Sequence, residues 1–287
     1  MKNIKYLLQF IFVMFFFGIF KIIGLKNSKN LSGNLMTLLG PMFRSKKIIF
    51  SNLSKAFPNL NDLEKERILK KMWFNYGRIF AEYMFIKDFR NNPKEFQNII
   101  IENPEILEKI KTYSQPVIFI SGHFNNFELM AMEIEKSGID LAAVYRPLNN
   151  RFINPIMENI RKKYICKKQI KKGLTGTKEL LLNFKKGTSI ALMIDQRVSQ
   201  GIKCNLFGQK ALTTTIPAQF VKKFNAKIVP VYIERENNTN FKITFQNPME
   251  FSKDSNIEMI TTKLNKLLEE MILKNPDQWI WSHNRWK

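Results

Sequence analysis

The sequence predicts an α/β domain, with helices on both faces of a largely parallel sheet, carried behind an N-terminal membrane helix. Three observations predict it. Tyr6 to Leu25 is a twenty-residue apolar stretch that only Gln9 and Lys21 interrupt. Beyond residue 116, short β-branched runs alternate with helical stretches. No internal repeat, low-complexity tract or linker divides that body.

The elements follow in order. At about 1.5 Å of rise per residue, a helix over Tyr6–Leu25 is about as long as a bilayer's hydrocarbon core is thick. Tyr6 suits one interface, and the Lys21 stem reaches the other. Ile22, Ile23, Gly24, Leu25 and Lys26 stand where a small-residue cleavage site would follow a signal peptide, so retention is expected. Residues 1–25 are therefore expected to form a membrane anchor and 26–287 the body. Leu31 to Phe43 is again apolar, but Ser32, Gly33, Asn34, Gly40 and Pro41 break it, which suits an interfacial helix. Lys2 and Lys5 precede the anchor, whereas Lys21, Lys26, Lys29, Arg44, Lys46 and Lys47 follow it, and this bias puts the body in the cytoplasm.

Asn61 with Glu64 has the form of a capping box, opening a long or kinked helix over Asp62–Lys87. A loop is expected at Asn91 to Pro93. Val117–Ser121, Leu141–Tyr145, Thr188–Ile194, Lys227–Ile233 and Lys242–Phe245 read as strands. Phe127–Lys136, Phe152–Lys163, Thr177–Lys185, Ile216–Phe224 and Asn256–Leu273 read as helices. Sites in such sheets gather at the carboxyl ends of strands.

Forty-six Lys and Arg against 24 Asp and Glu leave a formal charge of +22, which favours an acidic partner: nucleic acid, phosphorylated lipid or acidic protein. Two cysteines without CxxC spacing and two histidines indicate neither a disulfide framework nor a metal site.

The sharpest local feature is Ser121 to Glu128, SGHFNNFE, where a strand ends and a helix begins. His123 is expected in the turn, with Glu128 in the first helical turn reaching back to one ring nitrogen. Such a carboxylate fixes the tautomer and leaves the other nitrogen to take a proton from an alcohol. Asn125 or Asn126 suits the helix cap, and the first-turn N–H groups suit a developing oxyanion. An acid five residues after a histidine is a common accident, and on local grounds this reading stands level with a buried structural histidine.

GHFNNFE resembles the catalytic motif of the lipid A lauroyl/myristoyl acyltransferase family, and the likeness extends along the chain. Asn52, Leu53, Ala56, Phe57 and Pro58 resemble that family's NL...FP element, and Gly77, Arg78 and Glu82 its following helix. Tyr145, Arg146, Pro147, Leu148 and Asn149 resemble YRPLxN, with Arg161 where the family carries a further arginine. Asp195 and Gln196 match a strand-end DQ pair; Leu206, Phe207 and Gly208 resemble an FFG turn. Pro276, Gln278, Trp279, Trp281, His283, Arg285, Trp286 and Lys287 resemble the PxQWxWxHxRWK ending. Asn125 replaces the usual glycine, and asparagine tolerates the left-handed backbone that glycine supplies. Leu206 replaces the first aromatic of FFG.

The resemblance implies a glycerolipid-acyltransferase-like α/β fold, no cofactor and no metal. It also implies transfer from acyl carrier protein, or acyl-CoA, to a hydroxyl of a phosphorylated glycolipid at the bacterial inner membrane. His123 is then the general base and Glu128 its support, with Arg161 holding acceptor phosphate or charge near the thioester. Arg146, Asp195, Gln196 and Asn126 are further substrate-site candidates. Bland readings stand beside several of these: Arg146 as a solvated cation, the DQ pair as a loop buttress, the tryptophans and His283 as packing. A nucleic-acid-binding role lacks any helix-turn-helix, zinc-finger or RNP-like signature. A related acyltransferase acting on another membrane glycolipid is the alternative within enzymes.

Overall fold

The computed structural model describes residues 2–91, 99–237 and 240–287. The loop placed at Asn91 to Pro93 lies, beyond Asn91, outside them. The predicted anchor and interfacial helix are one element, α1 (Lys2–Phe43), broken at Gly24, whose φ of 74° and ψ of 169° are open to glycine. By length and composition α1 is able to cross a membrane. Its first half also leans on the body. The Asn150 side chain donates to the Tyr6 carbonyl at 2.9 Å and to Gln9 at 3.2 Å, and Phe17 and Phe20 bury themselves beside Phe80.

After α2 (Lys46–Ala56), α3 (Asp62–Glu82) opens on the predicted capping box. Glu64 N donates to Asn61 Oδ1 at 2.9 Å, and Asn61 N donates to Glu64 Oε2 at 2.8 Å. A 3₁₀ turn at Tyr83–Phe85 and α4 (Ile86–Asn91) continue the chain, so the long helix expected here is kinked. The second half of α1 crosses α3 in close contact. A Cβ on Gly77 would sit 2.1 Å from the Ser32 carbonyl oxygen, and Ser32 Oγ donates to the Gly77 carbonyl at 2.6 Å.

The body follows as β1 (Ile99–Glu102), α5 (Glu105–Lys111), β2 (Ile118–Ser121), α6 (Glu128–Lys136), β3 (Leu141–Tyr145), α7 (Ile153–Tyr164), β4 (Lys168–Lys171), α8 (Leu174–Lys185), β5 (Ser189–Met193), β6 (Ile202–Leu206), β7 (Gln209–Thr213), α9 (Ile216–Phe224), β8 (Ile228–Glu236), β9 (Asn240–Phe245) and α10 (Ile257–Lys274). All five expected strands and the helices between them are present. The pattern missed β1, β4 and the β6–β7 hairpin. The first two are four residues long and lie at the sheet edges, β4 with Ile170 as its one apolar residue, and the hairpin has charges and amides on its outer face.

One seven-stranded sheet has the order β1-β9-β8-β2-β5-β3-β4. β8, β2, β5, β3 and β4 run parallel, whereas β9 turns back antiparallel to β8. β2 lies at the centre with every residue buried, as a strand covered on both faces must. Its register pairs Ser121 with Met193 of β5, so two neighbouring strands end level with one another.

The C-terminal run closes the body. Asn52 of α2 donates to the carbonyls of Trp281 and His283, both at 2.8 Å, joining the NL...FP element to the final motif. Phe207 and Gly208 form the two-residue β6–β7 turn with φ of 52° and 69°, both left-handed, as a twisted hairpin prefers. Arg285 and Trp286 hold that hairpin through the Leu212 and Leu206 carbonyls.

Candidate active site

Two residues beyond the paired Ser121 and Met193, the level strand ends deliver His123 and Asp195 to the same place. His123 Nδ1 lies 2.7 Å from Asp195 Oδ1, and the His123 main-chain N–H donates to Asp195 Oδ2 at 2.7 Å. The Trp279 indole N–H adds a third bond to Oδ2 at 2.9 Å. The Asp195 side chain is fully buried. Burial alone would push its carboxyl up, but attraction to His123 and these three donors hold it down at about 2. An ionised Asp195 keeps the proton on Nδ1 and leaves Nε2 as the free base. Gln196 Nε2 stands 3.3 Å from that nitrogen, and the His123 side chain is 20% exposed.

The carboxylate expected against His123 was Glu128, and here the structure differs. Glu128 Oε1 accepts from Arg161 Nε at 2.8 Å and from Nη2 at 2.6 Å, and from the Tyr83 hydroxyl. Both side chains of the Glu128–Arg161 pair are largely buried. Burial would lower the Arg161 guanidinium, but Glu128 and Tyr83 reverse this and raise it, so Arg161 is a fixed cation. Burial, with Glu128 beside it, pushes the Tyr83 phenol well up. The physical reason is direction. Glu128 begins α6 and points toward α3 and α7, while His123 turns back over the sheet toward β5. Phe127 stands edge-on to the imidazole at 4.7 Å.

The two asparagines of the motif also differ from expectation, because neither side chain caps α6. Asn126 is fully buried and donates to Glu82 at 3.0 Å, which places it beneath the site. Asn125 has the left-handed φ of 43° that its place in the motif requires, and it donates to Gln278 at 2.7 Å while accepting from Arg235 at 2.8 Å. Arg235 in turn grips Glu82 with both terminal nitrogens, at 2.7 and 3.1 Å. The first-turn N–H groups of Leu129 and Met130 are taken by the Asn126 and Phe127 carbonyls, so they do not serve an oxyanion.

Of the expected site residues, His123, Asp195 and Gln196 meet at one point, while Glu128 and Arg161 meet at a second. Arg146 is exposed at the end of β3, near enough to Lys172 to lower that ammonium, although burial is the larger cause. His283 accepts a bond from the Arg197 main-chain N–H at 3.0 Å through Nε2, and burial keeps its ring neutral. It therefore braces the loop that carries Asp195. Tyr83 and Arg235 carry no local motif signal of their own, whereas Glu82, which both Asn126 and Arg235 hold, belongs to the helix element that Gly77 and Arg78 mark.

The sequence matches the family of bacterial lipid A biosynthesis acyltransferases over residues 1–287. The chain belongs to that family. This acyltransferase is 24% identical over 235 residues to lipid A biosynthesis acyltransferase 2 of Shigella flexneri, covering 80% of this chain and 74% of the relative. It is 25% identical over 255 residues to the lipid A biosynthesis lauroyltransferase of Escherichia coli K12, covering 86% and 80%. To the myristoyltransferase of the same organism it is 22% identical over 255 residues, covering 87% and 76%. Among solved structures, the 1-acyl-sn-glycerophosphate acyltransferase of Thermotoga maritima aligns over 84% of this acyltransferase and 98% of its own chain. That alignment has 12% identity and a TM-score of 0.37.

Proposed function

We propose that this acyltransferase moves a fatty acyl group from the thioester of acyl carrier protein to a hydroxyl of a phosphorylated lipid A precursor. The place proposed is the cytoplasmic face of the bacterial inner membrane. The observation that carries the chemistry is the His123 imidazole, held by ionised Asp195 with Nε2 turned toward Gln196 as the acceptor nitrogen. Nε2 takes the acceptor's hydroxyl proton as its oxygen attacks the thioester carbon. The C–S bond then breaks, and the imidazolium returns the proton to the departing thiolate. An ester and a free thiol result, and no acyl-enzyme forms. Gln196 lies beside Nε2, where the acceptor hydroxyl arrives. Glu128, Arg161 and Tyr83 fix the start of α6 and with it the Phe127 ring against the imidazole. The Arg161 charge is matched by Glu128, so Arg161 acts here by holding the start of α6 in place.

Several features support this setting. The exposed apolar face of α1 suits a membrane, the lysines after it favour a cytoplasmic body, and the net charge of +22 suits an acidic carrier and a phosphorylated lipid. The test compares lipid A from cells with and without this gene by mass spectrometry, then supplies purified enzyme with acyl carrier protein or coenzyme A thioesters. Loss of one ester-linked acyl mass, restored in vitro from the carrier thioester, is expected. An unchanged lipid A would refute the acceptor, and a preference for the coenzyme A thioester would refute the donor.

A further inference from the structure

The acceptor's phosphate needs cations, and Arg161 is already committed to Glu128. A second group of cations lines a cavity of about 360 Å³ where α1 crosses α3. Lys70, Lys71 and Arg78 come from α3, Arg235 from the end of β8, and Asn34 and Thr37 from α1. Asp277 is the one carboxylate on its wall, and it is paired with Lys71 at 3.1 Å. Lys70 is exposed and has no ion-pair partner among the described residues. Arg235 Nε is buried without a hydrogen-bond partner there, although its terminal nitrogens hold Glu82. The Arg78 guanidinium lies 4.5 Å over the Phe74 ring, and burial, then Arg235, lower it to about 10. Further cations are thus already disfavoured beside it, and an anion is favoured. Lys29, also buried, lies within electrostatic reach of Arg78, Arg235 and Glu82.

The cavity's address names the kind of anion. Leu31, Asn34, Leu38 and Met42 recur at helical spacing and share one face of α1. The three apolar members are 42%, 74% and 80% exposed. That stripe suits acyl chains, and Asn34 with Thr37 interrupts it at the cavity mouth. A group bound there therefore sits at headgroup depth beside the Arg78 guanidinium and the Lys70 ammonium.

Resting on the proposed function, we infer that this cavity is the subsite for a phosphate monoester on the acceptor glycolipid, with Lys70 as its outer cation and Arg78 as its inner one, Arg235 forming the wall behind them while it stays paired with Glu82. Arg235 also holds Asn125, two residues from His123, so a phosphate seated here fixes the sugar relative to the base.

The test measures binding, without donor, of the full-length enzyme to a phosphorylated lipid A precursor and to its dephosphorylated form in neutral detergent micelles. Lys70→Glu changes an exposed side chain and keeps the fold. It is expected to weaken binding of the phosphorylated lipid about tenfold or more, leave the dephosphorylated lipid unaffected, and be rescued by Lys70→Arg. An unchanged affinity, or equal loss for both lipids, would overturn the site. A phosphate-dependent loss that appears only in micelles containing phosphatidic acid would assign the cavity to bulk lipid and also overturn it. Phosphate-selective binding by an enzyme that acylates neither lipid would refute the proposed reaction and leave the subsite standing.

Discussion

Replacing Asp195 with asparagine separates the two carboxylates most cleanly. Asp195 Oδ2 accepts from two fixed donors, the His123 main-chain N–H and the Trp279 indole. An asparagine must place its single oxygen there, which turns its amide NH₂ toward His123 Nδ1. That nitrogen must then accept, the proton moves to Nε2, and the base facing the acceptor is lost. A general base contributes about 10²–10⁴-fold, or about 3–5 kcal/mol of barrier, so kcat is expected to fall by about that factor. Stability falls too. Holding the Asp195 carboxyl at about 2 rather than 3.8 corresponds to about 2–3 kcal/mol. Because the folded value lies below the unfolded one, that stabilisation is fully present above about pH 4 and lost as pH falls toward 2. The variant should show no such loss in that window. Single-turnover transfer from the carrier thioester gives the rate, ¹⁵N spectra of the imidazole give the tautomer, and acid titration of unfolding gives the linkage. Asp195→Asn transferring within threefold of wild type with Nδ1 still protonated, while Glu128→Gln abolishes transfer, would refute the assignment and restore Glu128 as the partner of His123.

Arg161→Lys loses the two-nitrogen grip on Glu128 and the bond to Tyr83, so a loss of about 1–3 kcal/mol is expected, read as a fall of a few degrees in calorimetric Tm. Asn125→Gly relieves a left-handed residue, worth about 1–2 kcal/mol, but removes three side-chain hydrogen bonds and strips partners from Gln278, Arg235 and the Asn126 main-chain N–H; net destabilisation in urea is expected. Gly77→Ala forces a Cβ onto the Ser32 backbone and should cost about 1–3 kcal/mol, whereas Gly18→Ala, with open space around it, should cost almost nothing in the same urea titration. Raising salt from about 0.05 to 0.3 M should lift KM for acyl carrier protein more than it lowers kcat, because a chain of +22 meets an acidic partner.

The fold was legible wherever a period ran long enough. The capping box at Asn61 and five of the sheet's seven strands carried local signals that the finished structure uses. The break at Gly24 was less legible, because a glycine in an apolar run reads equally as a helix end or a kink, and only its φ of 74° decides. Strands β1 and β4 lie at the two sheet edges and are four residues long; β1 offers only three isoleucines before Glu102, and β4 has one apolar residue, Ile170, so neither carries the longer apolar run of a strand buried on both faces.

The site was half legible, for a reason that lies in sheet geometry. A five-residue spacing does not by itself bring His123 to Glu128: His123 lies in the turn before α6 begins, so the direction of that turn decides whether the two side chains meet. What relates His123 to Asp195 is registry between neighbouring strands: Ser121 opposite Met193, each followed two residues later by the functional side chain. Sequence reading held both halves, a GH after one strand and a DQ after another. It lacked the knowledge that the two strands are adjacent. That adjacency is a property of the whole sheet, set by which helices cover which face, and no local window contains it. The same reasoning gives Glu128 its place. A carboxylate at the first turn of α6 is favoured by the helix's own N-terminus, and Arg161 and Tyr83 arrive from helices packed outside the sheet. The motif therefore spans two networks that meet through Phe127, and a substitution in one reaches the imidazole through the position of that ring.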